Sequence, residues 1–305
     1  MFHKPILFLI FNRPDTTRVV FEAIRKVRPL KLYVAADGYR ENKEGEKETC
    51  ELTRAIIDNI DWKCEIKKLY REKNLGCKMA ISSACDWFFE NEEEGIILED
   101  DCLPDPSFFT FCEQMLEYYK NEDNVMHIGG VNFQFGRKRG QGSYYFSRNS
   151  HVWGWASWRR AWKYYDVNMK YYPAFKKSKK INQIVKMWLE KKFLLNKLEK
   201  TYKGEIDTWD YQWNFAIWNQ NGLSIIPNEN LVSNIGFDKK ATHTTGDSKF
   251  SNMSTSTIND ITHPSIVEVN VQADNFSFQT VLKDFFVMKF AGIKNTLKRF
   301  FKATK

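Results

Sequence analysis

An apolar run ends in three acidic residues in the stretch Gly95-Ile96-Ile97-Leu98-Glu99-Asp100-Asp101. A short apolar run is typical of a buried strand, and this one places its carboxylates at the carboxyl end of that strand. Open α/β sheets bind ligands at this edge. The stretch therefore predicts a strand end at which a metal-bound phosphate can sit. A solvated turn or a helix-capping cluster is the simpler alternative.

Strands and amphipathic helices alternate on both sides of this stretch. Apolar runs at 4–11, 30–36, 66–70 and 125–128 predict strands, and helical spacing at 16–28, 47–60, 77–91 and 107–120 predicts the helices between them. Such alternation indicates βαβ units. We therefore expect an α/β fold of Rossmann-like type, in which a mainly parallel central sheet is flanked by helices.

The second half of the chain has a different character, because Gly-rich and aromatic segments follow residue 130. Residues 176–202 form a basic helical region. We interpret it as an inserted arm over the acceptor side, that is, the side where a second substrate would bind. A helix opening after Gly204 and a strand at 223–226 follow. The tryptophans at 153–158 fit either a packed core or a platform for a sugar ring, since aromatic faces pack against C–H surfaces.

Composition limits the classes of protein to consider. The chain has 305 residues, is 43% hydrophobic, and has six cysteines without a CxxC pair. Its start lacks the regions of a signal peptide, and no apolar run approaches the roughly 20 residues of a spanning helix. We expect reduced thiols in a cytoplasmic protein that does not cross a membrane.

Part of the net charge of +8 lies at the C-terminus, where residues 276–305 carry seven Lys/Arg against one Asp. Apolar residues recur there at three- and four-residue steps from Leu282 to Phe301, which predicts a basic amphipathic helix. No nucleic-acid-binding module is recognisable. Contact with an anionic membrane surface at the inner face of the cytoplasmic membrane fits better than nucleic-acid binding. A terminal helix docked on the rest of the chain is the alternative.

Carboxylates at neighbouring strand ends suggest the chemistry. If the strand geometry persists, Glu99 and Asp101 project from one face, and paired carboxylates suit Mg²⁺ or Mn²⁺ with substrate phosphates as the remaining ligands. Asp37-Gly38 and Asn12-Arg13-Pro14 also follow predicted strands. These strand ends meet at one edge of a parallel sheet, so the sequence predicts a single crevice.

Seven short motifs follow one another along the chain: Phe11-Asn12-Arg13-Pro14, Ala36-Asp37-Gly38, Asn74-Leu75-Gly76, Glu99-Asp100-Asp101, Trp153-Gly154-Trp155, Trp209-Asp210 and Thr242-His243. On these motifs, residues 4–245 resemble the GT-A nucleotide-sugar glycosyltransferases. The chain looks most like the N-acetylglucosaminyltransferase I type and the small bacterial glycosyltransferases of surface polysaccharide synthesis. The resemblance implies a GT-A fold and a metal-dependent, inverting transfer of a hexosyl or N-acetylhexosaminyl group from a nucleoside diphosphate, commonly UDP.

The resemblance also implies a role for individual residues. Asn12 and Arg13 lie by the nucleotide, Asp37 recognises the nucleobase, Glu99 and Asp100 contact donor sugar and ribose, Asp101 binds Mn²⁺ or Mg²⁺, and Asp210 is the general base. A carboxylate in the first turn of a helix is a suitable base if it reaches the acceptor hydroxyl. The acceptor or sugar platform consists of Trp153, Gly154, Trp155 and Trp209.

Three positions keep alternatives open. Asp207 competes with Asp210 as the base, although an Asp just before a helix more often caps it. His243 either completes the metal site or lies on the surface of a Thr-rich loop. Lys78 either reaches a phosphate from the start of its helix or is solvated.

We therefore expect a catalytic domain over residues 1–246, with a nucleotide-sugar half at 1–130 and an acceptor half at 131–246. Residues 247–275 are predicted to be peripheral or linking, and 276–305 to be the basic helix. The partners are the donor, a saccharide or lipid-linked acceptor and an anionic membrane. The rivals are a sugar-1-phosphate nucleotidyltransferase, which normally has a Gly-rich loop after the first strand, and a non-catalytic membrane-associated or carbohydrate-binding protein.

Overall fold

The computed structural model describes residues 1–237 and 248–285. Its strands are β1 (Ile6–Ile10), β2 (Lys31–Ala36), β3 (Glu65–Tyr70), β4 (Glu94–Glu99), β5 (Cys102–Pro104), β6 (Val125–Gly129), β7 (Tyr144–Ser147), β8 (Trp155–Trp158), β9 (Leu223–Pro227) and β10 (Val232–Asn234). Its helices are α1 (Pro14–Val27), α2 (Glu46–Ala55), α3 (Gly76–Asn91), α4 (Pro106–Tyr118), α5 (Arg159–Trp162), α6 (Tyr172–Ser178), α7 (Ile181–Ile184), α8 (Trp188–Tyr202) and α9 (Asp210–Asn219). A 3₁₀ turn at Ile56–Asn59 extends α2.

Eight strands form one sheet in the order β3-β2-β1-β4-β8-β6-β9-β7. Strands β1 to β4 run parallel to one another, and β6 runs parallel to β9, whereas β8 and β7 pair antiparallel with their neighbours. Strands β5 and β10 form a separate antiparallel pair. The expectation of an α/β fold with a mainly parallel central sheet flanked by helices is confirmed.

Side chains of β1 alternate between two cores, as the period of two in a strand requires. Ile6, Phe8 and Ile10 pack in the core that contains residues of α1 and α4. Leu7 and Leu9 pack in the opposite core, with residues of α3 and α9. Both faces of the central strands are thus buried, which explains why these strands read as continuous apolar runs.

The basic region predicted as one helical arm consists of the three helices α6, α7 and α8. Its apolar residues form a small core of their own with Phe215 and Trp218 of α9. Helix α9 is therefore held between this core and the core beneath the sheet, to which it contributes Trp213 and Ile217.

The described part of the C-terminal region packs against the domain. Residues 257–263 run along α4 and β7, where His263 stacks on Tyr118 at 3.8 Å between ring centroids and bonds the Tyr144 hydroxyl at 2.8 Å. Residues 271–285 are helical, so this helix begins before residue 276. Ser147 donates to its Asp274, and Gln134 donates to its Ser277. Residues 276–285, the first part of the predicted tail, are thus docked on the rest of the chain, which was the alternative to membrane contact. Residues 286–305 lie outside the described residues.

All six cysteines are free thiols in the described structure. Across residues 1–237 and 248–285, no helix combines the length and the apolar character that a bilayer crossing requires.

Candidate active site

A cleft of about 720 Å³ opens at the carboxyl ends of β1, β2 and β4. One wall carries Arg13, Asp37 and the acidic end of β4, and the other wall carries residues 206–211 at the start of α9. The single crevice predicted from the strand ends is therefore present. Parallel strands bring these residues together because their carboxyl ends share one edge.

The acidic residues after β4 are held by Arg13. One guanidinium nitrogen, Nη2, donates to Asp100 Oδ1 at 2.9 Å and to Asp101 Oδ2 at 2.5 Å. Asp100 also accepts the backbone N–H of Phe11 at 3.2 Å. Strand β4 ends at Glu99, so the alternation predicted for 99–101 stops there and the chain turns. Asp100 and Asp101 consequently both bind the Arg13 guanidinium. In a continued strand, these adjacent side chains would point to opposite faces of the sheet.

Burial and neighbouring charge disfavour the ionised form of the Glu99 carboxyl. Burial raises its pKa well above the ordinary value, and nearby carboxylates, Asp101 first and Asp210 also, raise it further. Burial likewise raises the pKa of Asp100 to about 6, against the opposing effect of Arg13. Arg13 opposes these effects at both carboxyls without cancelling them.

Carboxylates at this sheet edge are of the ligand type that a divalent cation takes in proteins. Among the residues that the structure describes, no cluster of three or more His, Cys, Asp or Glu side chains is arranged as a metal site. Mg²⁺ and Mn²⁺, however, commonly take only one or two protein carboxylates, with water and substrate phosphates as the other ligands. Glu99 and Asp101 stay the predicted pair, and Asp101 is bound to Arg13 in this structure. His243 lies outside the described residues.

Asp37 joins two of the motifs into one structural unit. Its carboxylate accepts the backbone N–H groups of Gly38, Leu75 and Gly76, and the amide of Asn74 at 3.0 Å. A Cβ at Gly38 would lie 2.3 Å from the backbone carbon of Lys73, so only glycine fits there. The carboxylate predicted to read the nucleobase therefore also fixes the loop that opens α3.

Asp210 lies in the first turn of α9, as predicted, and accepts a hydrogen bond from the Thr208 hydroxyl. Asp207 is exposed, lines the same cleft and does not cap α9, whose N-cap residue is Trp209. The capping alternative for Asp207 is therefore wrong, because the helix begins three residues later. Both carboxylates face the cleft, and the effect of Asp210 on Glu99 places it near the acidic end of β4.

The start of α9 is anchored by buried aromatic and polar contacts. Trp209 stacks on Trp155 with 5.5 Å between ring centroids. Trp213 donates through Nε1 to His127 Nδ1 at 3.2 Å, and burial lowers the pKa of His127 to about 3, so the ring is neutral. Nothing in the local sequence marked His127, because its role follows from packing.

The predicted aromatic platform divides into two parts. Trp153 lines the cleft and contacts Phe237 at 5.5 Å, whereas Trp155 is fully buried in β8 and does not line the cleft. Gly154 has a φ of +62°, and this turn ends the alternation that would otherwise place both rings on one side. Trp155 thus takes the core alternative. Trp209 reaches the cleft, although it is only 3% exposed.

Among the described residues, four basic side chains line the cleft, and sequence reasoning identified only Arg13 of them. Arg40, Arg71 and Lys197 are the others, while Lys78 is not among the lining residues. Arg71 directly follows β3, and Arg40 comes four residues after β2, so position after a strand is the signal that could have found both.

Asn12 lines the cleft and donates to Glu46 at 2.9 Å. Glu46 also accepts the backbone N–H of Arg40 at 2.7 Å, and its hydrogen bond to the Arg40 side chain lowers its pKa. Asn12 and Arg40 are therefore held in place by one carboxylate at the rim of the cleft.

No protein-family model matches the chain, and no curated protein matches it either. Similar solved structures include mouse xyloside xylosyltransferase 1 in its apo form, at 12% identity over 72% of this chain and 82% of that one, with a TM-score of 0.38. S. aureus TarS 1-349 is 11% identical over 55% of this chain and 50% of that one, with a TM-score of 0.36. HddC from Yersinia pseudotuberculosis is 9% identical over 52% of this chain and 77% of that one, with a TM-score of 0.32.

Likenesses of this size carry no weight for function, so we infer the function below from the residues of the cleft. The fold itself is of the predicted α/β type, since helices flank a mainly parallel sheet whose carboxyl edge ends in Glu99, Asp100 and Asp101.

Proposed function

We propose that this chain is a metal-dependent, inverting glycosyltransferase. It would move a hexosyl or N-acetylhexosaminyl group from a nucleoside diphosphate donor, with UDP as the expected carrier, to a saccharide or lipid-linked saccharide. The observation that carries the proposal is the pairing, across one cleft, of the Arg13-bound acidic residues with Asp210 on the opposite wall. We place the reaction in the cytoplasm, at the inner face of the cytoplasmic membrane.

The wall formed by the parallel strands supplies the donor side. Arg13 and Arg71 offer positive charge to phosphate oxygens, and Asp37 and Asn12 lie at the same sheet edge for the base and ribose. Asp101 and Glu99 would hold Mn²⁺ or Mg²⁺. A cation bound there neutralises the diphosphate as it leaves.

The wall formed by α9 supplies the acceptor side. Asp210 takes the proton from the acceptor hydroxyl, the hydroxyl oxygen attacks the anomeric carbon, and the bond from that carbon to the diphosphate breaks with inversion. Trp153 lies beside this path with its ring partly exposed, and would pack against a sugar face.

Purified protein tested with a panel of UDP-sugars and Mn²⁺ should release UDP, and EDTA should stop this release. Asp101→Ala should abolish turnover, because it removes both the proposed metal ligand and the partner of Arg13. Asp58→Ala is the matched control, since that side chain is 69% exposed and is not among the residues that line the cleft. Activity that survives both EDTA and Asp101→Ala would refute the metal role.

The same assay separates the rivals. A nucleotidyltransferase would release pyrophosphate from a nucleoside triphosphate and a sugar 1-phosphate, and would leave UDP-sugars intact. A carbohydrate-binding protein would bind glycans in a calorimeter without affinity for any nucleotide sugar.

A further inference from the structure

The helical arm α6–α8 carries more net positive charge than the C-terminal segment 276–305. Residues 172–202 contain nine Lys against two Glu, whereas residues 276–305 contain seven Lys/Arg against one Asp. Within the described parts of the chain, Lys176 is the only one of the nine arm lysines at ion-pair distance from a carboxylate, that of Glu199 at 2.6 Å. The arm therefore presents a surplus of positive charge to its surroundings.

Helix α8 adds an exposed apolar pair to this charge. The side chains of Trp188 and Leu189 are 66% and 47% exposed at the start of the helix. All ten tryptophans lie in the described residues, and the other nine are buried or half-buried. The exposed residues Trp188, Lys192, Asn196 and Lys200 recur every four positions, so they share one face, and Leu194 and Leu198 are buried on the other.

This helix connects the exposed pair with the cleft. Lys197 of α8 lines the cleft beside Tyr211, with its ammonium 6.0 Å from the Tyr211 ring centroid. Lys197 comes nine residues after Trp188, which at 1.5 Å per residue is about 13 Å along the axis. A substrate anchored where Trp188 lies would therefore have its reacting end within reach of the cleft.

The described part of the C-terminal helix packs beside α8. Phe193 of α8 lies 5.9 Å from Phe278 and 6.2 Å from Phe285, measured between ring centroids. The helix of 271–285 thus lies beside α8 and contacts it through Phe193. In the sequence, this helix immediately precedes the basic residues 286–305.

We propose that the exposed face of α8, with Trp188, Leu189, Lys192 and Lys200, docks on an anionic phospholipid bilayer. Lysines contact lipid phosphates while their stems cover apolar surface, and Trp and Leu enter the headgroup boundary. A soluble polyanion would use the lysines and leave the Trp-Leu pair in water, so a bilayer fits both features. The use of this surface to present a lipid-linked acceptor rests on the proposed function, whereas bilayer binding itself does not.

Co-sedimentation of the full chain with vesicles tests the surface. Vesicles of phosphatidylcholine with about one third phosphatidylglycerol should bind the protein, and pure phosphatidylcholine vesicles should bind it weakly. The double variant Trp188→Ser/Leu189→Ser should lower the partition coefficient about tenfold, because it removes the apolar contact. Lys192→Glu/Lys200→Glu should lower it by a similar factor. Leu52→Ser, at a site that is 61% exposed on α2, should leave it unchanged.

Hydrogen exchange separates α8 from the C-terminal residues. Anionic vesicles should slow the exchange of backbone amides at 186–192, where α8 begins. Slowing confined to 286–305, or a double variant at Trp188 and Leu189 that folds and binds like the unaltered chain, would overturn the proposal. Binding to heparin that equals vesicle binding and ignores the Trp-Leu variant would also overturn it. Loss of UDP-sugar turnover in solution is a separate outcome that bears only on the chemistry.

Discussion

The two walls of the cleft hold their carboxylates in different ways. On the wall built by parallel strands, Asp37 accepts three backbone N–H groups and the Asn74 amide, and Asp100 and Asp101 share Arg13. On the α9 wall, Asp210 accepts one hydrogen bond from the part of the chain that the structure describes, that of the Thr208 hydroxyl, and Asp207 is exposed.

This difference separates positioning from proton transfer. A carboxylate that accepts several N–H bonds is fixed in place, so it suits binding. A carboxylate with a single hydroxyl partner can turn toward a substrate and take a proton. We therefore look for the base on the α9 wall and for the donor site on the other.

Asp210→Asn should have the largest effect, a fall in kcat of about 10³-fold, because an amide cannot take the acceptor proton. Asp207→Asn, the matched change on the same wall, should lower kcat by less than about tenfold. Both are measured as UDP release at saturating donor and acceptor, with thermal melting as a check on folding. The opposite ranking would make Asp207 the base.

Arg13→Met should destabilise the protein by about 3 kcal/mol, because Asp100 would stay buried without its cation. Arg18→Met is the control on α1, the helix that Arg13 precedes; its side chain is exposed, and the change in the free energy of unfolding should be less than about 0.5 kcal/mol. Urea unfolding gives both values. Equal stability of the two variants would show that Arg13 does not hold the acidic residues.

Asp37→Ala should cost about 2 kcal/mol, since the N–H groups of Leu75 and Gly76 at the start of α3 lose their acceptor. Asp123→Ala, at an exposed position, serves as the comparison. If urea unfolding shows no loss for Asp37→Ala, that carboxylate is free for the nucleobase alone.

Glu190→Gln should stabilise the protein by about 1 kcal/mol near pH 8 and should have no such effect near pH 4. Burial, with the charge of Asp274, raises the pKa of Glu190 to about 7. The folded state thus binds this proton more tightly than the unfolded state, so stability falls as pH rises from the ordinary pKa of a glutamate toward 7.

The Glu190→Gln variant has no proton to lose at this position, so it does not lose stability in this way as the pH rises. The variant keeps Arg148, Lys186 and Asp274, which line the same small cavity as Glu190, and Asp274, whose pKa burial raises to about 6, titrates in both proteins. Thermal melting across this pH range measures the difference. A gain that is constant with pH would mean that Glu190 is not the titrating group.

Local sequence patterns predicted most of the strands and helices in the part of the chain that forms the parallel strands. Strands β1, β2 and β4 and helices α1, α3 and α4 lie within a few residues of their predicted bounds, because apolar runs and helical spacing are properties of adjacent residues. The cleft edge followed from these elements. The short strands β7 and β8 were not predicted, since antiparallel pairing joins distant segments that carry no common local signal.

The sequence by itself determined the alternation of strands and helices, the acidic end of β4 and the aromatic character of the second half. Tertiary structure decided which of these residues meet. Asp37 and Asn74 are 37 positions apart, and Arg13 reaches Asp101 across 88. The packing of the elements also places Trp153 at the cleft and Trp155 in the core. The same packing brings Arg40, Arg71 and Lys197 to the cleft. The physical reason is that burial and hydrogen-bond partners depend on how elements pack, and periodicity along a chain does not record that packing.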